Sequence, residues 1–160
     1  MSANRTMTIL FVCTGNTCRS PMAAAYFQQL CEAAEIDVSV ESVGLAAFDG
    51  EPMSEAAAKT LNHEGVDTPT SRSHQLTDDH VAAADLIVTM THAHLAQLQH
   101  SPVAAPEKTF TLMSFVDSKT DIDDPFGGSV DEYSQCLTTM KPALDALLEH
   151  INKRLTEPDP

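Results

Sequence analysis

The sequence has no tryptophan, 2 tyrosines and an aromatic share of only 5%. Basic residues are also scarce, with 9 Lys and Arg against 23 Asp and Glu and a formal net charge of -14. That shortage disfavours a nucleic-acid partner, because neutralising phosphates takes clustered Lys and Arg. It disfavours an anionic membrane surface for the same reason. No apolar run approaches the roughly 20 residues of a bilayer-spanning helix. The opening MSANRTMTILFVC carries one arginine, a short apolar run and no small-residue cleavage site. It reads as a strand rather than a signal peptide. Cysteines number only 4, namely Cys13, Cys18, Cys31 and Cys136. With no export signal the expected compartment is the cytoplasm, where thiols stay reduced and a disulfide framework is not expected.

What is present suffices for a core. An apolar share of 42% over 160 residues fits one globular domain, 1–160, with 156–160 as a frayed tail. Met7 to Val12 is a continuous β-prone run, as in a strand covered on both faces. Ser20-Pro21 is expected to cap and start a helix over 21–35. Val38 to Val43, Leu86 to Met90 and Lys108 to Leu112 read as further strands. Ser54, Thr77 and Thr91 are suited to cap the helical patterns that follow them. DSKTDIDDPFGGS is too acidic and too rich in Gly and Pro to be buried, so a surface loop is expected there. Ser129 can cap a last helix to about Leu155, and Pro142 is expected to kink or break it near Met140. Strands alternating with helices imply an α/β fold: one three-layer domain with a four-stranded parallel, twisted sheet. Ligands of such sheets bind beyond the carboxyl ends of the strands.

The segment CTGNTCRS, Cys13 to Ser20, lies at such an end and admits three readings. A zinc clip needs a second close ligand pair, and none exists; His92-x-His94 is a lone pattern at a helix start, read as surface polar. A structural disulfide conflicts with a reducing compartment, although Cys13 and Cys18 can oxidise reversibly. The third reading is an anion cup. Gly15 and Asn16 favour positive φ, so successive N–H groups can point inward. The following helix adds its positive end, and Arg19 supplies a planar fork for two phosphate oxygens. A cysteine at the base of that cup is stabilised as a thiolate, in position to attack a bound phosphoryl group. Binding must be this local, since the overall charge repels anions. A Walker A lysine is missing, so no nucleotide loop is implied.

VCTGNTCRSP resembles the C-x5-R-S-P motif of the low-molecular-weight protein tyrosine phosphatases, and DDPFGGS supplies their late Asp-Pro as Asp124-Pro125. The resemblance spans nearly the whole chain and implies a phosphate-binding loop after the first strand, Cys13 to Ser20. It implies Cys13 as nucleophile, Arg19 as phosphate clamp and Asp124 as general acid and then base, with Asp123 the neighbouring alternative. Thr14, Gly15, Asn16, Thr17, Cys18 and Ser20 would form the loop. Ser20 would serve the departing sulfur, and Asn16 would hold the loop's shape with Ser42. Cys18 would be the partner for protective oxidation of Cys13. No metal and no cofactor is implied. Two positions depart from the family pattern: Ala24 stands where a glutamate is common, and Ser71 where a histidine often is.

CTGNTCRSPM, MTH and DPFGGS resemble more closely those of the family's bacterial protein arginine phosphatases. Thr17 replaces a bulky aliphatic residue that tyrosine-specific members carry, trading apolar contact for a hydroxyl that can meet a guanidinium. Gly127-Gly128 removes an aromatic wall and leaves Phe126 to line the substrate pocket with Thr17. Phosphotyrosine and phosphoarginine both stay open, and Thr17 tips the reading toward the latter. The expected partners are phosphorylated proteins, with the chain a monomer or weak dimer. Two rivals stand beside this reading. An arsenate reductase would need relay cysteines, and only Cys31 and Cys136 lie downstream. A non-catalytic phosphate binder would not need Asp124.

Overall fold

The computed structural model describes residues 6–70 and 72–157. Ser71 and residues 158–160 of the tail, both singled out above, lie outside that range. An apolar run such as ILFVC has no polar face to offer water, so it must be covered on both sides. It forms β1 (Met7–Cys13), which is buried from Ile9 onward. β1 pairs in parallel with β2 (Val38–Gly44) on one side and β3 (Leu86–Thr89) on the other. β4 (Thr109–Thr111) adds beyond β3, giving the order β2-β1-β3-β4 in an all-parallel sheet.

Side-chain alternation along β1 divides the interior in two. Ile9, Phe11 and Cys13 point to one face, where they meet α1 (Arg19–Ala33), α2 (Glu55–His63) and α5 (Val130–Thr156). Phe11 packs edge-to-face on Phe27 of α1, with ring centroids 5.7 Å apart. Leu10 and Val12 point to the other face, against Val81 of α3 (Asp78–Ala83) and Leu98 of α4 (His92–Gln99). Two helical layers on one parallel sheet make the expected three-layer α/β architecture.

Ser54, Thr77, Thr91 and Ser129 each accept a backbone N–H at the start of their helix, as their sequence positions suggest. Ser20 does not. α1 starts at Arg19 with Cys18 as the capping residue and no side-chain cap bond. The Ser20 hydroxyl is engaged by the loop instead, as described below. Pro142 does not break α5, which runs through it for 27 residues. Proline inside a helix costs about 3 kcal/mol. Leu137, Met140, Leu144, Leu147 and Ile151 are all fully buried on the same helix. Each contributes about 1.5–3 kcal/mol of transfer free energy, so the packed face outweighs the interruption. β4 is shorter than the expected strand, because Leu112 already begins a 3-10 helix, Leu112–Val116. The chain leaves β1 toward β2 on one side and returns to β3 on the other, which makes the carboxyl end of β1 the switch point of the sheet.

Candidate active site

The loop between β1 and α1 sits at that switch point. Its shape depends on two residues. Asn16 adopts a left-handed backbone with φ 57 and is buried. Its side chain is fully used: Nδ2 donates to Ser20 Oγ and Ser42 Oγ, each at 2.9 Å, and Oδ1 accepts from the His74 amide at 2.8 Å. Gly44, at the end of β2, is required by close approach. A Cβ there would stand 2.5 Å from the Thr14 carbonyl oxygen and 3.0 Å from the Asn16 nitrogen. Gly15 was expected to share the positive φ, but only Asn16 has it. One left-handed residue, pinned by three hydrogen bonds, suffices to turn the chain.

Cys13 is buried at the base of the loop, with its Sγ 2.8 Å from Ser20 Oγ. An ionised sulfur there accepts the Ser20 proton. Ser20 Oγ also lies 3.4 Å from the Val43 carbonyl, a longer contact that competes poorly for that proton. Cys18 is buried as well, with Sγ 3.2 Å from Tyr133 Oη and 3.7 Å from Thr17 Oγ1. All four cysteines are free thiols. Burial pushes the Cys31 thiol up to about 11 and the Cys136 thiol to about 12. Those two are therefore inert fillers of the core. Burial, followed by the bond to Cys18, likewise raises Tyr133 to about 12.

Arg19 and Asp124 meet across the loop. Arg19 is 5% exposed, and its Nη1 donates to the Ile122 carbonyl at 2.9 Å. Its Nη2 lies 3.6 Å from Asp124 Oδ2, while the Asp124 side chain is half exposed. Asp124 Oδ1 accepts from the Phe126 amide at 3.0 Å, which aims the carboxylate back over the loop's arginine. Asp123 points its backbone oxygen at Cys136 Sγ, 3.8 Å away. Asp124 is thus the acid that reaches Arg19. The segment carrying it was expected to be wholly superficial, yet Ile122 is buried in the main core. The Ile122 amide donates to the Met90 carbonyl at 3.0 Å, and Asp121 Oδ1 accepts from His92 at both the backbone amide, 2.8 Å, and Nδ1, 2.7 Å. Those His92 bonds hold the Asp121 carboxyl below its usual range. An acidic loop is in this way fastened at both flanks of the arginine.

Sequence reasoning missed three contributors. Phe48 lies on the turn after β2 and is 82% exposed, facing solvent much as Phe126 does at 77%. That turn is bonded to the loop, with Leu45 N to Cys13 O and Ala46 N to Thr14 O, both 2.9 Å. Ser73 is buried and fastens the same turn by donating to the Phe48 carbonyl and accepting from the Glu51 amide. His94, read above as surface polar with His92, is buried, and its Nε2 lies 2.9 Å from Thr14 Oγ1. No signal in the sequence separates the two histidines; only the wrap of α4 against the loop does. Ala24 is partly buried against the main core and leaves Ser42 bonded to Asn16 without a neighbouring carboxylate from that position. Among the described residues no group of three or more His, Cys, Asp and Glu could hold a metal ion, and no helix is long and apolar enough to cross a membrane.

The chain as a whole is similar to known proteins. The profile of the low molecular weight phosphotyrosine protein phosphatases matches residues 8–157. The protein-arginine-phosphatase of Bacillus subtilis is 36% identical over 148 residues, 92% of this chain and 98% of that one. The low molecular weight protein-tyrosine-phosphatase PtpB of Staphylococcus epidermidis is also 36% identical, over 88% of this chain and 96% of its own. A solved structure of the YwlE arginine phosphatase, a mutant with a phosphorylated active-site serine, superposes with a TM-score of 0.87. It is 36% identical, and the match covers 92% of this chain and 97% of that one. This chain is a member of the low molecular weight phosphotyrosine protein phosphatase family.

Proposed function

We propose that the chain is a cysteine-dependent phosphatase of phosphorylated proteins and works in two displacements at phosphorus. In the first, the Cys13 thiolate attacks, the bond from phosphorus to the leaving oxygen or nitrogen breaks, and Asp124 gives its proton to the leaving atom. In the second, water attacks the phosphocysteine, Asp124 takes the water's proton, and the phosphorus–sulfur bond breaks. Ser20 donates to the departing sulfur as charge returns to it. Arg19 and the loop amides bear the charge spread over the three equatorial oxygens throughout. Every step is assigned to a residue of this chain. The reading includes a reducing, cytoplasmic setting, in which Cys13 stays unoxidised, and a chain that acts as a monomer or weak dimer.

The observation that carries the reading is the double engagement of Arg19, which joins the sulfur's loop to the acid through Ile122 O at 2.9 Å and Asp124 Oδ2 at 3.6 Å. A binding module has no need of that acid. An arsenate reductase needs a relay thiol, and Cys31 and Cys136 are raised by burial to about 11 and about 12.

Within this activity phosphoarginine is favoured over phosphotyrosine. The support is Thr17, a small polar and partly buried residue of the loop, together with a relative at 36% identity named for arginine phosphatase activity. A relative at the same identity is named for tyrosine phosphatase activity, so identity alone does not discriminate. The test is kcat/KM on matched phosphoarginine and phosphotyrosine peptides. Faster turnover of the phosphoarginine peptide is expected. Turnover of the phosphotyrosine peptide alone overturns the preference, and turnover of neither overturns the phosphatase reading.

A further inference from the structure

His94 is a buried polar side chain at the site that the reaction above does not use. It is 6% exposed. Its amide donates to Thr91 Oγ1 at 3.1 Å, so the first turn of α4 fixes where the ring stands. Nε2 lies 2.9 Å from Thr14 Oγ1, while Nδ1 is buried and has no hydrogen-bond partner. Arg19, Asp121 and Asp124 all act on the ring electrostatically, which places it among the groups of the site. Burial first, and Arg19 second, hold it down to about 4, so the ring is neutral at ordinary pH.

A neutral imidazole carries its proton on one nitrogen. If Nδ1 carried it, a buried N–H would be orphaned, which folded proteins rarely tolerate. If Nε2 carries it, the ring donates to Thr14 Oγ1 and only a lone pair on Nδ1 goes unused. The second arrangement is the cheaper one. It also decides what Thr14 does. Thr14 follows the nucleophile directly and is exposed at the loop's mouth. Once its oxygen accepts from His94, its own hydroxyl proton is left to give away.

We propose that His94 is a positioning residue of the phosphate loop: its Nε2–H donates to Thr14 Oγ1, fixes that rotamer, and leaves the Thr14 hydroxyl as a donor to the phosphoryl group or leaving atom at the loop's mouth. The inference rests on the phosphatase reading above. A donor that strengthens as charge spreads in the transition state acts on kcat more than on KM.

Four variants and one spectrum test it. With an aryl phosphate, His94→Leu is expected to lower kcat by about 3- to 10-fold with KM nearly unchanged, the worth of one net hydrogen bond. His94→Gln, whose amide can place an N–H near the same point, is expected to stay within about twofold of wild type. Thr14→Val is expected to fall like His94→Leu, and the double variant to be no worse than Thr14→Val alone. In the wild type, nitrogen-correlated imidazole spectra are expected to show the Nε2–H form of His94, with that resonance shifted in Thr14→Val. A Nδ1–H form overturns the proposal, whatever the turnover. So do losses that multiply in the double variant, or a His94→Leu as active as His94→Gln, which would mark plain packing. A wild type without turnover contradicts the phosphatase reading, while the tautomer still decides for or against His94.

Discussion

Arg19 donates through Nη1 to the Ile122 carbonyl at 2.9 Å, while its Nη2 stands 3.6 Å from Asp124. A single guanidinium therefore sets the distance between the loop that holds the sulfur and the segment that holds the acid. Arg19→Lys keeps the charge but loses the planar fork. It is expected to lower kcat/KM on aryl phosphate by about 10²- to 10³-fold, the usual loss for one preorganised donor at the developing charge. Steady-state kinetics on the folded variant, with its melting temperature alongside, checks this. A loss under about threefold would mean that Arg19 only ties the segments together.

Asn16 combines a left-handed φ of 57 with three hydrogen bonds. Asn16→Gly removes only the bonds, whereas Asn16→Ala removes the bonds and adds about 1–2 kcal/mol of backbone strain. Urea unfolding is expected to rank the stabilities wild type, then Gly, then Ala. Equal stability of the Gly and Ala variants would show that the strain is relieved by movement of the loop.

The proposed preference for phosphoarginine rests on the hydroxyl of Thr17. Thr17→Ile restores a bulky aliphatic group and removes that hydroxyl. It is expected to lower kcat/KM on a phosphoarginine peptide by about 10-fold or more while leaving aryl phosphate turnover nearly unchanged. Equal losses on both substrates would assign Thr17 to loop shape rather than to selection.

His94 gives stability a pH dependence of known sign. The folded chain holds it at about 4, against an ordinary value of 6.5, through burial and then Arg19. Between those values the unfolded chain takes up a proton that the folded one refuses. Stability therefore falls as pH drops from 6.5 toward 4, with no further contribution from this group below that. The opposing action of Asp121 and Asp124 is already contained in that value, so the difference corresponds to roughly 3 kcal/mol. Urea unfolding of wild type and His94→Gln at stepped pH measures it: the wild type is expected to lose more across that window. Parallel curves would contradict the burial argument.

How much of this was legible in the sequence follows from where each residue's partners lie. The run Met7 to Cys13 and the caps Ser54, Thr77, Thr91 and Ser129 are decided by near neighbours, and their elements form as expected. Cys13, Asn16, Arg19 and Asp124 were singled out because a motif ties them together, and the fold brings them to one place. Ser20 looked like a cap because local chemistry favours it there. A cysteine seven residues earlier claims its hydroxyl instead. Pro142 looked like a break because the sequence does not display the buried face that outweighs it. Ile122, Ser73 and His94 owe their places to contacts between segments far apart in the chain, which no local pattern encodes.

In the proposed mechanism the Cys13 sulfur becomes covalently bound to phosphorus. Asp124→Ala should slow the second displacement more than the first when the leaving group is an aryl oxide, which needs little protonation. Acid-quenched mass spectrometry of that variant mixed with an aryl phosphate detects the bond. The expected result is a phosphoryl group on the peptide bearing Cys13, lost in Asp124→Ala combined with Cys13→Ala. Phosphoryl transfer to any other residue, or wild-type turnover that survives Cys13→Ala, would contradict it.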